Sequence, residues 1–142
     1  MKVKFRKLHK SAQVPEYKTS GSSGCDLFAN EEAFIEPGSS RGVHTDIAVE
    51  IPEGYEGQIR SRSGMGLFDK IVVSLGVGTI DSDYRGEVIV PLRNDGTVGY
   101  RITKGQRIAQ MVFALVDRGE FEEVDELGHT ERGGGGCGST GK

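Results

Sequence analysis

In the run VHTDIAVEI, Val43, Thr45, Ile47, Val49 and Ile51 fall on one side, and His44, Asp46, Ala48 and Glu50 on the other. Strict period-two alternation marks a strand with one face on a core and the other toward water. The same period returns in Val88, Val90 and Leu92, which lead into the turn-forming Asn94-Asp95-Gly96. A short run with Tyr100 and Ile102 in phase follows, closed by Lys104-Gly105. From Ile108 to Val116 nearly every position is apolar, which predicts a strand covered on both faces, inside the fold or at a subunit contact. KVKFRKL, YEGQIRS and KIVVSLGVGTI complete a series of short β-prone runs separated by Gly, Pro, Asn and Asp. No segment sustains an apolar stripe of helical period, and the best helical candidate is a turn or two at Met65-Gly66-Leu67-Phe68. The pattern predicts an all-β sandwich or barrel.

A chain of 142 residues suits one domain. Its 22 glycines imply many turns, or close approaches of backbone to a ligand. The balance of 18 basic against 21 acidic side chains lacks the basic footprint that tracks a nucleic-acid backbone, so no polynucleotide partner is expected. No apolar run nears the ~20 residues that span a bilayer, and the opening MKVKFRKLHK lacks the apolar core of a secretory signal. The expectation is a soluble cytoplasmic protein with no membrane partner. Cys25 and Cys137 lie far apart without metal-ligand spacing, which predicts two reduced thiols.

The tail GGGGCGSTGK fits most of a phosphate-cradling P-loop, but that loop needs a preceding buried strand and a Ser or Thr after the lysine. DELGHTERGGG is polar, and no residue follows Lys142. The tail holds too little apolar surface to pack and reads as a flexible arm, whose glycine N–H groups, Ser139, Thr140 and preceding Arg132 could grasp an anion. RSRSGMG gathers Arg60, Arg62, Ser61, Ser63 and Gly64 at a strand end. In GVGTIDSDYRGEV, Gly76 and Gly78 permit close approach to a planar ligand, and Asp81 follows Ile80, where partial burial would hold its carboxylate. Asp83 would share a face with Asp81 in an extended chain, and Tyr84 offers a ring to a sugar or base. Phosphate donors, a positioned carboxylate and a stacking ring suggest nucleotide hydrolysis.

Five stretches in order resemble the motifs of the trimeric deoxyuridine triphosphatases, the dUTPases. They are GCDLFA around Asp26, Arg62-Ser63-Gly64, GTIDSDYRGEV from Gly78 to Val88, KGQRIAQMVF from Lys104, and the terminal RGGGGCGSTG. The resemblance implies a distorted jelly-roll-like β-barrel over residues 1–128 and an arm over 129–142 that closes the active site. It implies a homotrimer with sites at its subunit interfaces, and Mg²⁺-dependent hydrolysis of dUTP to dUMP and pyrophosphate. That reaction limits uracil in DNA and supplies dUMP for dTMP synthesis. In this scheme Asp81 takes a proton from the water that attacks the α-phosphorus, and Tyr84 lies under the deoxyribose and excludes a 2′-hydroxyl. A hairpin of Leu75, Gly78, Thr79 and Ile80 reads uracil through its backbone, with no room for a thymine methyl. Ser63, the N–H of Gly64 and Gln110 meet the phosphates, while Arg62 touches phosphate or braces a subunit contact. Arg132, Cys137, Gly138, Ser139 and Thr140 fold over the substrate. Mg²⁺ is held mainly by the phosphates, with Asp26 acting through water or supporting the site.

The chain departs from the pattern at two positions. Cys137 stands where the family usually has an aromatic residue stacked on uracil, so arm closure should lose about 1 kcal/mol of stacking. Ser61 stands where Pro is common, which removes a φ restraint. A dCTP deaminase-like enzyme, against which the compact TIDSDYRGEV motif and the glycine arm speak, and a nucleotide-sensing module, for which Cys137 is the only hint, are the alternatives. His9, His44 and His129 lie outside the motifs and read as surface or packing residues.

Overall fold

The computed structural model describes every residue except Gly138, Thr140 and Lys142. Its strands are β1 (Lys4–Lys7), β2 (Cys25–Phe28), β3 (Ala33–Ile35), β4 (Ser40–Glu50), β5 (Tyr55–Arg60), β6 (Ile71–Val73), β7 (Val77–Ile80), β8 (Glu87–Asn94), β9 (Tyr100–Ile102) and β10 (Arg107–Leu115). One sheet has the order β1-β4-β8-β6, a second β2-β10-β5-β7, and β3 pairs with β9. All the ladders are antiparallel, as the all-β, jelly-roll-like expectation requires. The helical candidate is a single turn of π geometry, Met65–Asp69, which buries only Met65. Among the described residues no helix is long and apolar enough to cross a membrane. Beyond Val116 the described residues form neither strand nor helix.

The alternation in β4 survives an interruption. Val43, Thr45, Ile47 and Val49 are all buried, although the register with β8 shifts from His44↔Ile89 to Ala48↔Glu87. That shift places two extra residues in β4, and an even insertion returns the side chains to the same face. Asp46 takes up the bend with φ of 52°. The buried Thr45 hydroxyl is satisfied by donating to the carbonyl of Val88 at 2.6 Å. Val88, Val90 and Leu92 point inward from β8. They join Leu27, Ile59, Ile108 and Met111 from the second sheet in one core cluster. Cys25 lies in the same core, where burial pushes its thiol pKa up and leaves it protonated and inert.

The fold adds detail to two expectations. The Asn94-Asp95-Gly96 signal does make a turn, but Asn94 itself ends β8 fully buried. Its amide donates to the carbonyls of Ile35 at 3.0 Å and Val98 at 2.8 Å, and its oxygen accepts the Gly96 N–H at 2.9 Å. The side chain therefore ties the end of β8 to β3 and to the loop before β9. β10 is only half covered: Ile108, Ala109 and Met111 are buried, whereas Leu115 is 77% exposed. The strand sits centrally between β2 and β5, so hydrogen bonding covers its edges while the far end of its face stays open in the protomer.

At the β4 bulge the Glu87 carboxylate bonds His44 Nδ1 at 2.9 Å. That hydrogen bond and the Glu87 charge raise the His44 pKa above its ordinary 6.5. A raised pKa gives stability that is fully present below the ordinary value and lost as pH rises through the folded one. The wild-type Tm should therefore decline, relative to His44→Gln, as pH rises above 6.5, by a modest margin because the imidazole is half exposed. Thermal melts of both proteins across that range check this, and parallel curves would remove the pair's contribution.

Candidate active site

The second-motif residues stand where β5 ends at Arg60 and the chain turns into the helical turn. Pairing of β2 with β10 brings Asp26 opposite Gln110, and pairing of β10 with β5 brings Gln110 opposite Arg60. Three sequence-distant segments thereby meet at one end of the second sheet. Around them lies a cleft of about 260 Å³ lined by Lys18, Ser22, Ser23, Gly24, Asp26, Arg62, Ser63, Gly64, Arg107 and Gln110. Asp26, Arg62, Ser63, Gly64 and Gln110 are the anticipated members of this set.

Asp26 organises the cleft. Its Oδ1 accepts from Arg62 Nε and its Oδ2 from Arg107 Nη1, each at 3.1 Å, with only 13% of its side chain exposed. Arg62 also donates through Nη1 to the carbonyl of Arg107 at 3.3 Å. Of the alternatives for Arg62, the protomer shows a brace within the chain. Both Asp26 oxygens are occupied by guanidinium groups, which favours the supporting role over contact with a cation. Removing this carboxylate leaves two arginines without their acceptor. Asp26→Ala should destabilise the fold by about 1.5–3 kcal/mol, the worth of hydrogen bonds to a charged group, as measured by urea unfolding.

The Gln110 amide nitrogen donates to the Ser61 carbonyl at 3.0 Å, which leaves its second hydrogen for a ligand. Gly24 makes this placement possible, because a Cβ there would stand 2.6 Å from Gln110 Oε1. Ser61, at the position where proline was expected, accepts the Val73 N–H at 2.8 Å and ties this corner to β6. Lys18, Arg62 and Arg107 outnumber Asp26, and Ser22, Ser23, Ser63 and the backbone add donors. Such a donor set suits a polyanion. Among the described residues no group of three His, Cys, Asp or Glu side chains could hold a metal ion. The donors fit phosphate oxygens, and would fit Mg²⁺ only as part of a metal–phosphate complex.

Asp81 and Tyr84 lie elsewhere. Gly57↔Ile80 pairing sets Asp81 beside Glu56, at the opposite end of β5 from Arg60. At ~3.3 Å per residue, β5 separates Asp81 from the Arg60 end by roughly 13 Å. Asp81 is exposed, contrary to the partial burial expected from its neighbour Ile80, because β7 is the edge strand of its sheet. Nor do Asp81 and Asp83 share an extended face: Tyr84 N–H donates to the Asp81 carbonyl at 3.1 Å and closes a turn. The anticipated hairpin at Leu75–Ile80 is likewise a crossover, since β6 belongs to one sheet and β7 to the other. Leu75 is 71% exposed, Gly76 takes φ of 75°, and Gly78 and Thr79 lie on the β7 edge with Ile80. Asp81 and Asp83 also border a cleft of about 520 Å³ with Glu53, Tyr55, Glu56 and Arg118.

Arg132 and Cys137 are exposed, and the hydrogen bonds of this stretch are local, as in Gly135 N–H to the Arg132 carbonyl and Ser139 N–H to the Gly136 carbonyl. The protomer does not bring them to either patch. The roles expected for Gly138 and Thr140 lie outside the described residues. Lys18, Ser22, Ser23 and Arg107 were missed. The GSSG beside Asp26 was a visible signal for the serines, whereas Arg107 reaches Asp26 only through the register of β2 on β10.

Comparison with known proteins identifies the family. The dUTPase family model matches residues 10–141. The chain is similar to the deoxyuridine 5'-triphosphate nucleotidohydrolases of Gloeothece citriformis, at 51% identity over 99% of this chain and 97% of that one, and of Nautilia profundicola, at 49% over the whole of both. Among solved structures it resembles a Staphylococcus bacteriophage 80alpha dUTPase with dUpNHpp, with a TM-score of 0.92 and 31% identity over 99% of each chain. A dUTPase of phage phi11 of S. aureus, described with a structural Mg(II) ion, gives a TM-score of 0.83 at 27% identity over 89% of this chain and 99% of that one. With both the ordered motifs and the strand topology matched over nearly its whole length, the chain belongs to the dUTPase family.

Proposed function

We propose that this protein hydrolyses dUTP to dUMP and pyrophosphate in sites assembled between copies of the chain. The observation that carries the assembly is the placement of Asp81 and the phosphate-type cleft at opposite ends of β5. A single substrate cannot meet both ends of one protomer while Asp81 reaches its α-phosphorus. A symmetric homotrimer, in which one chain's cleft faces another chain's Asp81 turn, joins them. The open end of β10 supports the same reading, as do the exposed Phe121, Val124 and Leu127 that follow it.

In the assembled site Ser63, the Gly64 N–H and the free hydrogen of Gln110 hold the phosphate chain, and Arg62 and Arg107 supply positive charge from their perch on Asp26. The outer edge of β7 offers backbone donors and acceptors to uracil, with Leu75, Gly78, Thr79 and Ile80 along it. Tyr84 sets its ring under the sugar. Asp81 accepts the proton of a water aimed in line at the α-phosphorus, and pyrophosphate departs on the opposite side. Mg²⁺, when carried in on the triphosphate, screens phosphate charge and improves pyrophosphate as a leaving group. The arm 129–142 closes over the substrate with Arg132, Cys137, Gly138, Ser139 and Thr140, less tightly for having a thiol at 137. Both relatives are deoxyuridine 5'-triphosphate nucleotidohydrolases, which supports the substrate assignment.

A pyrophosphate-release assay with Mg²⁺ across dUTP, dTTP, dCTP and UTP tests the reading. Release from dUTP, with the other three at least ~10²-fold slower in kcat/KM, is expected of a site that reads base and sugar by hydrogen bonding and sterics. Deamination of dCTP, or nucleotide binding with no product, would overturn it.

A further inference from the structure

The turn that carries Asp81 and Tyr84 is solvent-exposed and joins an edge strand to β8, so apolar packing does little to fix it. Its restraints are polar. Arg85 Nη1 donates to the carbonyls of Ser82 at 2.6 Å and Tyr84 at 2.9 Å. With the Tyr84 N–H on the Asp81 carbonyl, these bonds define the shape of the turn. They do not define where it stands on the protein.

Position comes from Glu87. The Tyr84 hydroxyl donates to the Glu87 carbonyl at 2.9 Å. Gly86 leaves room for the ring to lie there, because a Cβ on it would stand 2.6 Å from Tyr84 Cζ. The Glu87 carboxylate then reaches into the β4 bulge: Oε1 accepts the Asp46 N–H at 2.8 Å, and Oε2 meets His44 Nδ1 at 2.9 Å. The bulge is itself held from outside the turn. Asn30 Nδ2 donates to the Asp46 carboxylate at 2.5 Å, and the Leu8 N–H donates to the Asp46 carbonyl at 2.8 Å. Glu87, with its side chain 18% exposed, thereby connects the Tyr84 hydroxyl, through its main-chain carbonyl, to the β4 bulge, through its carboxylate.

We propose that Glu87 is a positioning residue for Asp81 and Tyr84, holding their turn in register with the β4 bulge. The inference rests on the assignment of Asp81 and Tyr84 to the reaction. It gives the two extra residues of β4 a purpose: with Asp46 at positive φ, they aim a backbone N–H at Glu87. A carboxylate that must accept a proton in line with phosphorus loses rate when its turn drifts, whereas binding of the phosphates at the far cleft is little changed.

Two measurements on Glu87→Ala and Glu87→Gln test this. Amide hydrogen exchange over residues 82–86, without nucleotide, should quicken several-fold in Glu87→Ala. In pyrophosphate-release kinetics kcat should fall of the order of 10-fold, with KM for dUTP within about 3-fold. Glu87→Gln keeps an acceptor for the Asp46 N–H and should restore most of both. If Glu87→Ala does not fold, Glu87→Asp, one methylene too short to span both partners, carries the same expectation. Wild-type exchange or wild-type kcat in the folded shortened variant overturns the proposal, as does failure of Gln to rescue. Faster exchange in a protein whose wild type ignores dUTP would instead sink the substrate reading while leaving the anchor standing.

Discussion

Asp81→Asn should lower kcat for dUTP by about 10²–10⁴-fold, the range that a positioned general base contributes, while a non-hydrolysable dUTP analogue binds nearly as tightly as before. Asparagine keeps the size and the turn geometry but cannot take up a proton at neutral pH. The effect should be confined to the chemical step, because the phosphate contacts belong to the cleft at the other end of β5. Among the described residues no hydrogen bond or ion pair engages the Asp81 carboxylate, in contrast to Asp26, whose two oxygens are both taken. Both Asp81 oxygens are open to a water, whereas each Asp26 oxygen already carries a guanidinium. Asp83→Asn serves as the control and should leave the rate within a few-fold. Retained turnover in Asp81→Asn together with loss in Asp83→Asn would move the base two residues along the chain. Single-turnover pyrophosphate release and calorimetric titration of the analogue separate these outcomes.

Two inactive variants should make an active enzyme together. Asp81→Asn lacks the base and keeps the cleft, whereas a variant with Ser63→Ala and Gln110→Ala lacks cleft donors and keeps the base. If each site takes its base from one chain and its cleft from another, random co-assembly at equal amounts leaves about a quarter of sites with both intact, half of a half. Co-expressed and purified as mixed oligomers, the pair should recover roughly that share of wild-type turnover. Each homo-oligomer alone should stay at its residual level. A mixture no more active than the sum of its parts would place base and cleft of each site in one chain, against the ~13 Å or more that β5 puts between them. Light scattering on the same samples gives the oligomer size.

Much of the fold could be read from side-chain periodicity because period two survives local irregularity. β4 and β8 face inward as their sequences foretell, even across the bulge, since two extra residues restore the face. What alternation does not encode is whether the other side is covered. β10 was expected to be covered inside the fold or at a subunit contact, and in the protomer its apolar far end is open. Asn94 was read as a turn because a short-range signal reports only its own neighbours, and its bonds to Ile35 and Val98 depend on strand pairing. The candidate site divided in the same way. Asp26, Arg62, Ser63, Gly64 and Gln110 were legible as motif members and do meet. Lys18 lies outside the motifs, and Arg107, although inside the fourth, was not singled out because its bond to Asp26 depends on strand register. Asp81 was legible as an acid in the right motif, but its exposure follows from β7 lying at a sheet edge, which sequence does not announce.

The free edge of β7 has a consequence for inhibition. A base recognised by main-chain groups is recognised by atoms that no codon change except one to proline can remove. Substitutions at Val77 or Thr79 alter what hangs from the strand and leave its donors and acceptors in place. A uracil mimic that spends its affinity on that edge should therefore meet slow escape by point mutation, whereas one leaning on the Lys18 or Arg107 side chains would be evaded by a single replacement.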